Sequence, residues 1–326
     1  MKDPVLVTGA AGFIGFHTAL QLLQRGERVV GIDNLNDYYD VKLKEARLEQ
    51  LANFKDFTFL KLNIADKPGM EELWKKHGPF RRVVHLAAQA GVRYSLIDPY
   101  TYITSNCMGH LTVMEMCRNT EGFKHLVYAS SSSVYGANTK KPFSVKDDVS
   151  QPISLYAATK RSDELMSQCY SHLYKIPQTG LRFFTVYGPW GRPDMALYIF
   201  TKAIANDEKV PLFNGGKMKR DFTYIDDIVA GVIATLDTPA SGDVPHRVLN
   251  IGNTRSEDLM DFVKIIEREL GKKADLDPQP MQPGDVMETF ADVTETTEAV
   301  GYRPTTSIDV GVPRFVAWYK DYHGIR

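Results

Sequence analysis

Residues 4–15 read PVLVTGAAGFIG, a short apolar run that leads directly into glycines at positions 9, 12 and 15. An amphipathic stretch, FHTALQLLQRG, follows, so the pattern predicts a β-strand, a tight turn and a helix. Gly9, Gly12 and Gly15 would let a pyrophosphate approach the backbone amides, and the amino end of the helix would face the phosphates. We therefore predict a dinucleotide site at this turn.

A second apolar run, RVVGID, ends in Asp33, about twenty residues after the glycine turn. A carboxylate at this point can accept hydrogen bonds from the adenosine ribose hydroxyls and would repel a 2′-phosphate, which favours NAD over NADP. The predicted cofactor site therefore includes Asp33 and Asn34, together with Phe13 and Ile14 of the glycine turn. The alternative for Asp33 is a residue that serves only the turn.

Short apolar runs alternate with longer amphipathic stretches over the first half of the chain, which is typical of repeated βαβ units. We predict an α/β fold with a doubly wound parallel sheet of the Rossmann type. The runs are PVLVTG, RVVGID, FTFLKL, RVVHLA, HLVYAS and TGLRFF.

Polar and small residues end two of these runs, at the carboxyl edge where doubly wound folds bind ligands. Asn63 and Ile64 follow the third run, and Ala87, Ala88 and Gln89 follow the fourth. We predict that they line the adenine and the pyrophosphate, with core or turn positions as the alternative.

The pattern changes near residue 181, where Gly and Pro clusters begin to separate shorter elements. We expect residues 1–180 to form the NAD-binding domain and residues 181–326 to form mainly a smaller C-terminal lobe for substrate, with some segments returning to the first domain.

The bulk composition argues against several classes of protein. The chain has 326 residues, with 39 basic and 40 acidic side chains, so nothing suggests binding to nucleic acid or membrane. The three cysteines lack CxxC spacing, the histidines and aspartates lack metal-site spacing, and no targeting segment is apparent. We expect a cytoplasmic protein with buried free thiols and no metal.

A catalytic pair is suggested by YAATK, in which Tyr156 and Lys160 are four residues apart and would share one helix face. A nearby ammonium group favours the phenolate, so Tyr156 could serve as a base. Upstream, the run HLVYAS leads into the serines at 130 to 133, which would place hydroxyls at the same sheet edge. Taken alone, YxxxK is a frequent coincidence and four serines are also typical of a loop.

With these motifs in order, the chain resembles the extended short-chain dehydrogenases/reductases over essentially its whole length. The more specific resemblance is to UDP-glucuronate 4-epimerases, which make UDP-galacturonate for surface polysaccharides. It is carried by GIDNLNDYYD, HLAAQAGVRYS, SSSVYGAN, SLYAATK, LRFFTVYGPWGRPDM, RDFTYIDD and MQPGDV.

The resemblance implies NAD as cofactor, a UDP-sugar as substrate and a homodimer built on the helices near residues 100–118 and 157–174. It also implies that Ser131 binds the reacting sugar hydroxyl, Tyr156 is the base, and Lys160 binds the nicotinamide ribose. Tyr156 then takes the proton of the 4-hydroxyl, C4 is oxidised to a 4-keto intermediate, and reduction on the other face inverts C4.

The residues after Ser131 distinguish possible outcomes. Related dehydratases carry an Asp-Glu pair there and related decarboxylases carry a Glu, whereas this chain has Ser132 and Ser133. Neutral hydroxyls can hold a substrate carboxylate without supplying an acid, which favours epimerisation. Thr185 stands where UDP-galactose 4-epimerases commonly have Asn, and it could donate to the C6 carboxylate.

Further substrate contacts are expected from the resemblance and from charge. Arg192 would bind the phosphate or the acid group, with an exposed loop arginine as the alternative, and Arg93 could equally form an ion pair between the lobes. Phe213 could stack on uracil or simply pack. The remaining predicted contacts are Ser95, Arg220, Gln282 and Asp285, and many relatives have Arg where Gln282 stands.

Three alternatives remain open. The chain could be a UDP-galactose 4-epimerase or a UDP-glucuronate decarboxylase of the same family. It could also be an NAD-binding sensor without catalysis, against which the set of Ser131, Tyr156 and Lys160 argues.

Overall fold

The structure is a computed structural model that describes residues 3–281 and 287–325. Its centre is a seven-stranded parallel sheet with the strand order β11-β6-β5-β4-β1-β2-β3. The strands are β1 Val5–Thr8, β2 Val29–Asp33, β3 Phe57–Lys61, β4 Arg82–His85, β5 His125–Ser131, β6 Gln178–Phe183, β7 Thr185–Tyr187, β8 Lys209–Phe213, β9 Lys219–Arg220, β10 Phe222–Tyr224, β11 His246–Ile251, β12 Glu257–Asp258 and β13 Asp275–Gln279.

The helices lie on both faces of this sheet, so the predicted doubly wound α/β fold is confirmed. They are α1 Phe13–Gln24, α2 Val41–Ala52, α3 Lys67–His77, α4 Pro99–Tyr102, α5 Gly109–Arg118, α6 Leu155–Tyr174, α7 Ala196–Ala205, α8 Ile225–Asp237, α9 Leu259–Leu270, α10 Thr294–Val300 and α11 Ile308–His323. A π-helical segment, Ile103–Met108, joins α4 to α5.

Strand β1 shows why the central strands read as continuous apolar runs. It pairs with β2 through Val5 opposite Val29 and with β4 through Val5 opposite Arg82. Val5 and Val7 belong to the hydrophobic cluster on one face, whereas Leu6 belongs to the cluster on the other. Because successive side chains point to opposite faces and helices cover both, Val5, Leu6 and Val7 are all apolar, and Thr8 at the end of the strand is the buried polar exception.

The six runs identified in the sequence coincide with β1 to β6. From β1 the sheet grows through β2 and β3 in one direction and through β4, β5 and β6 in the other, so the strand order reverses between β1 and β4. At such a reversal the loops that follow neighbouring strands diverge and leave a crevice at the carboxyl edge. The fold therefore places a cleft next to the glycine turn.

The later part of the chain contributes both to the central sheet and to separate small sheets. Strand β11 pairs with β6, while β7 pairs with β10, β9 with β12 and β8 with β13. The expected boundary between residues 180 and 181 falls within β6, and the division into two domains stays a prediction.

Within the ranges that the structure describes, no helix is long and apolar enough to cross a membrane. The cysteines are free, and their exposure differs from expectation: Cys117 is buried, Cys107 is intermediate and Cys169 is exposed.

Candidate active site

A cavity of about 820 Å³ opens at the carboxyl edge of the sheet and extends toward the small sheets. Its volume is within the range of sites for small molecules and cofactors. The predicted residues that line it are Gly9, Gly12, Phe13, Ile14, Gly15, Asp33, Asn34, Asn63, Ile64, Ala87, Ala88, Gln89, Arg93, Ser131, Ser132, Ser133, Tyr156, Lys160, Thr185, Arg192, Phe213 and Arg220. Sequence positions far apart therefore meet in one space.

The glycine turn is shaped so that only glycine fits at two of its positions. Gly9 has a φ of 72°, and a Cβ there would lie 2.8 Å from the backbone nitrogen of Ala87. A Cβ on Gly15 would lie 2.0 Å from the carbonyl oxygen of Gly9. Helix α1 begins at Phe13 with Gly12 as N-cap and no side-chain cap, so its first amides are available to a diphosphate.

The Asp33 carboxylate lies beside this turn at the end of β2. Its Oδ2 accepts a hydrogen bond from the Ala11 amide at 3.2 Å, and its Oδ1 accepts one from the Leu35 amide at 2.9 Å. These bonds fix a carboxylate at the cavity wall, where ribose hydroxyls can reach it. The turn and Asp33 together fit the adenosine diphosphate part of NAD.

Lys44 also lines this end of the cavity, although the sequence offered no motif for it. Its Nζ donates to the backbone oxygen and to Oδ1 of Asn36, both at 2.7 Å. Burial lowers the pKa of Lys44, and the nearby Asp33 carboxylate acts in the opposite direction. Only the folding of α2 onto the loop after β2 brings Lys44 there.

The segment after β4 is held by Asn106, another residue that sequence reasoning missed. Its Oδ1 accepts from the Gln89 amide at 2.8 Å, and its Nδ2 donates to the Gln89 carbonyl oxygen at 3.1 Å and to Thr159 Oγ1 at 3.0 Å. Asn106 lies in the π-helical segment, so it ties the loop of Gln89 to helix α6.

The end of β5 places Ser131 in the cavity wall. Its Oγ accepts a hydrogen bond from the Ser133 amide and lies 3.2 Å from Ser133 Oγ, as the cap of a short 3₁₀ turn. Ser130 has a different role, because its hydroxyl donates to Glu164 at 2.6 Å. The serine run is therefore an ordered strand end and turn, and Ser131, Ser132 and Ser133 line the cavity.

Helix α6 presents Tyr156 and Lys160 to the same cavity, one helical turn apart. The helix starts here because the Ser154 hydroxyl accepts the Ala157 amide at 3.1 Å. The Lys160 ammonium donates to the Ala129 carbonyl oxygen at 2.9 Å and to Asp163 Oδ2 at 3.2 Å.

Two loops meet where Arg192 lines the cavity. Its Nη2 lies 2.5 Å from Oδ2 of Asp194 and its Nε lies 3.0 Å from Oδ1. The Tyr38 hydroxyl donates to the same carboxylate at 3.0 Å, and burial followed by the Asp194 charge raises the pKa of Tyr38 to about 12. Burial tends to lower the pKa of Arg192, but the Asp194 carboxylate outweighs it and the pKa lies above its usual range. Asp194 was not predicted from the sequence, although its two-residue spacing from Arg192 is a usable signal.

Three further segments contribute residues to the lining of the cavity. The Arg93 guanidinium lies 4.4 Å from the centre of the Phe213 ring, which is a cation–π contact. Arg220 donates to the carbonyl oxygens of Lys219 and Met287 at 2.9 and 3.2 Å.

The expectation for Ser95 does not fit its position. Its side chain is buried, its hydroxyl donates to the Val92 carbonyl oxygen at 2.6 Å, and it is not among the described residues that line the cavity. Gln282 and Asp285 lie outside the described residues.

Arg47 connects the glycine turn to a distant loop. It is fully buried, and its guanidinium donates to the Ala11 carbonyl oxygen at 2.8 Å, to the Tyr39 hydroxyl at 2.7 Å and to the Trp190 carbonyl oxygen at 2.6 Å. The two walls of the cavity are therefore joined behind the turn. Among the residues that the structure describes, no group of three or more His, Cys, Asp or Glu is placed to hold a metal.

Comparison with known proteins agrees with this geometry. The model of the NAD dependent epimerase/dehydratase family matches residues 5–252. The chain is 46% identical to UDP-glucuronate 4-epimerase 4 of Arabidopsis thaliana, over 98% of this chain and 76% of that one. It is 44% identical to the probable UDP-glucuronate 4-epimerase of Rhizobium meliloti, over 96% of each chain.

A solved structure is also similar. The crystal structure of UDP-glucuronic acid 4-epimerase from Bacillus cereus, in complex with UDP-glucuronic acid and NAD, superposes with a TM-score of 0.89 at 34% identity. The match covers 98% of this chain and 99% of that chain.

Proposed function

The chain belongs to the NAD dependent epimerase/dehydratase family, and we propose that within it this protein is an isomerase that epimerises UDP-glucuronate to UDP-galacturonate at C4, with NAD as cofactor. The similarity to named UDP-glucuronate 4-epimerases over nearly the whole chain supports this function.

The observation that carries the choice of outcome is the set of acidic groups around the cavity. Among the described residues that line it, the carboxylates are Asp33 and Asp194. Asp33 accepts hydrogen bonds from two backbone amides, and Asp194 accepts hydrogen bonds from Arg192 and Tyr38. Neither follows Ser131 in the chain, so the described lining of the cavity offers no carboxyl group beside Ser132 and Ser133 to promote elimination.

NAD, when bound, accepts the hydrogen of C4 with its electron pair and returns it to the other face of the carbon. Tyr156 would take the proton of the 4-hydroxyl at its phenolic oxygen and give it back after C4 is reduced, so there is no net redox change. Lys160 would support the phenolate by its charge and bind the nicotinamide ribose. Ser131 would orient the sugar hydroxyl.

Oxidation of C4 makes a β-keto acid, which loses carbon dioxide readily, so the acid group must be held without assistance to that step. We propose that Ser132, Ser133 and Thr185 donate hydroxyl hydrogen bonds to the carboxylate. Their neutrality keeps the carboxylate charged and solvated by fixed donors. Arg192 would bind the diphosphate or the same carboxylate as a two-pronged donor.

The test is incubation of the purified protein with UDP-glucuronate and catalytic NAD, followed by proton NMR of the sugar nucleotides and by absorbance for NADH. Formation of UDP-galacturonate without stoichiometric NADH supports the proposal. Formation of UDP-xylose or a 4-keto pentose would refute the epimerase assignment and the role of Ser132 and Ser133. Turnover of UDP-galactose alone would assign the neighbouring specificity.

We also propose a homodimer. Several large apolar side chains are exposed on the segments that precede α5 and on α6, and a face of this kind is suited to a second copy of the chain. They are Leu96, Ile97, Tyr100, Ile103, Met108, Leu165, Leu173 and Tyr174.

A further inference from the structure

The contact between Lys160 and Asp163 has no part in the mechanism described above. The two side chains are 4% and 1% exposed, and Nζ lies 3.2 Å from Oδ2. The second oxygen, Oδ1, is buried and has no hydrogen-bond partner among the described residues. A buried carboxylate with one oxygen unused loses the solvation of water without full replacement, so it is a costly group to keep.

We infer that Asp163 is a positioning residue which holds the Lys160 ammonium and sets how much of its positive charge reaches Tyr156. The inference rests on the proposed role of Tyr156 as the proton acceptor.

The geometry explains how one carboxylate can act on two properties of the lysine. Lys160 is anchored by the Ala129 carbonyl oxygen and by Asp163, which fixes the end of the long side chain in the cavity that Tyr156 also lines. When Asp163 is charged it also partly neutralises the ammonium. The stabilisation that Lys160 offers to a phenolate is then smaller than that of an uncompensated cation.

Among the described titratable groups around Asp163, only Asp163 itself changes its charge close to neutral pH. Burial lowers the pKa of His85 to about 3 and lowers that of His110 well below its usual value, while burial raises the pKa of Cys107 and Tyr128, so these four are neutral. Glu164 is bound by Arg182 through two bonds and by Arg161, so its charge is already balanced.

Burial raises the pKa of Asp163 to about 7, with Lys160 acting in the opposite direction. Phenols ordinarily lose their proton at ~10. Asp163 is therefore already charged over most of the range in which a tyrosine base becomes active, and removal of its charge should be visible there.

The test compares two substitutions by the pH dependence of kcat/KM. Asp163→Asn keeps an oxygen near Lys160 but removes the charge, so we expect half-maximal kcat/KM to move to lower pH by about one unit, with the plateau of kcat within about threefold of wild type. Asp163→Ala removes both the oxygen and the charge, so the plateau value of kcat should fall in addition to the pH shift.

The matched control is Glu164→Gln, which neutralises an equally buried carboxylate on the same helix. It should lower Tm, because Arg182 loses its charged partner. The pH at which kcat/KM is half-maximal should stay as in wild type. Should Asp163→Asn fail to fold, Asp163→Ser carries the same test.

A second readout does not depend on the substrate. Near-ultraviolet difference absorbance between each protein and its Tyr156→Phe counterpart follows tyrosinate formation at this residue among the 16 tyrosines. We expect Asp163→Asn to shift that titration in the same direction. If a folded Asp163→Asn protein shows neither shift, the inference is wrong, whereas a shift without turnover of UDP-glucuronate would refute only the proposed substrate.

Discussion

The guanidinium of Arg192 and the carboxylate of Asp194 face each other as a two-point pair, with 2.5 Å between Nη2 and Oδ2 and 3.0 Å between Nε and Oδ1. The pair lies at the cavity wall, where Tyr38 donates to the same carboxylate. Because Asp194 occupies one edge of the guanidinium, the directions of the remaining donors of Arg192 are fixed. We regard this orientation as the main contribution of Asp194.

Arg192→Lys should therefore weaken substrate binding although it keeps the charge. A lysine cannot donate from a planar fork, and we expect KM for UDP-glucuronate to rise about tenfold, or about 1.4 kcal/mol, with a smaller change in kcat. Initial-rate kinetics measure both parameters. Arg255→Lys, at an exposed position away from the cavity, is the control. An unchanged KM in the Arg192 variant would remove it from the substrate site.

Tyr156→Phe should abolish most of the turnover without loss of the fold. Loss of a general base typically lowers kcat by about 10²- to 10⁴-fold. Circular dichroism and NAD binding check that the protein remains intact. Tyr100→Phe makes the same chemical change on an exposed side chain and should leave kcat as in wild type. Near-normal turnover of the Tyr156 variant would contradict its role as base.

Asp33→Ser should weaken NAD binding and narrow the preference for NAD over NADP. Hydrogen bonds to a charged acceptor are worth about 1.5–3 kcal/mol, so we expect at least about a tenfold rise in the Kd for NAD. Fluorescence titration with each dinucleotide measures the ratio. Asp37→Asn, an exposed carboxylate of the next loop, should change neither value. If the ratio of the Kd values for NAD and NADP is unaltered in Asp33→Ser, then Asp33 serves only the turn and does not select the cofactor.

The unfolding free energy should depend on pH through Asp163. The folded-state pKa of about 7 is above the unfolded value of ~4, so in this interval the folded chain keeps a proton that the unfolded chain releases. The associated stability is present at low pH and is lost as the pH rises through about 7. Urea denaturation should show Asp163→Asn gaining stability relative to wild type as the pH rises from about 4 to about 7, with a constant difference above that. A pH-independent difference would contradict the shifted pKa.

Leu173→Glu should disrupt the proposed homodimer. Leu173 is 58% exposed on α6, where a charge would be buried if a second copy covers the helix. Light scattering at micromolar concentration should give a dimeric mass for wild type and a monomeric mass for the variant. Leu276→Glu, which alters an exposed leucine on β13, is the control and should stay dimeric. A monomeric wild type would refute the dimer itself.

The fold was predictable because its determinants are local. Each buried parallel strand needs apolar residues on both faces, and the turn after β1 needs glycine at Gly9 and Gly15 for steric reasons. The alternation of strands and helices, the glycine turn and the residues at the carboxyl ends of β2 to β5 could therefore be predicted from the sequence.

The site was predictable where residue type and spacing express the chemistry, as at Tyr156 and Lys160. Asn106 and Lys44 were missed because their positions depend on how a π-helical segment and α2 pack, which no short motif records. Ser95 does not line the described cavity, because its hydroxyl donates to the nearby Val92 carbonyl oxygen, and spacing alone does not reveal such a bond. The individual roles of the site residues and the cytoplasmic location stay predictions.

The bond between Arg47 and the Trp190 carbonyl oxygen has a consequence for biosynthesis. The glycine turn leaves the ribosome early, but the loop that anchors it from behind is translated more than a hundred residues later. At a synthesis rate of about 5–20 residues per second, this delay is on the order of ten seconds. During that time the nascent chain can form β1 to β5, yet it lacks the partner that immobilises the guanidinium. The dinucleotide pocket should therefore mature only after residue 190 has emerged.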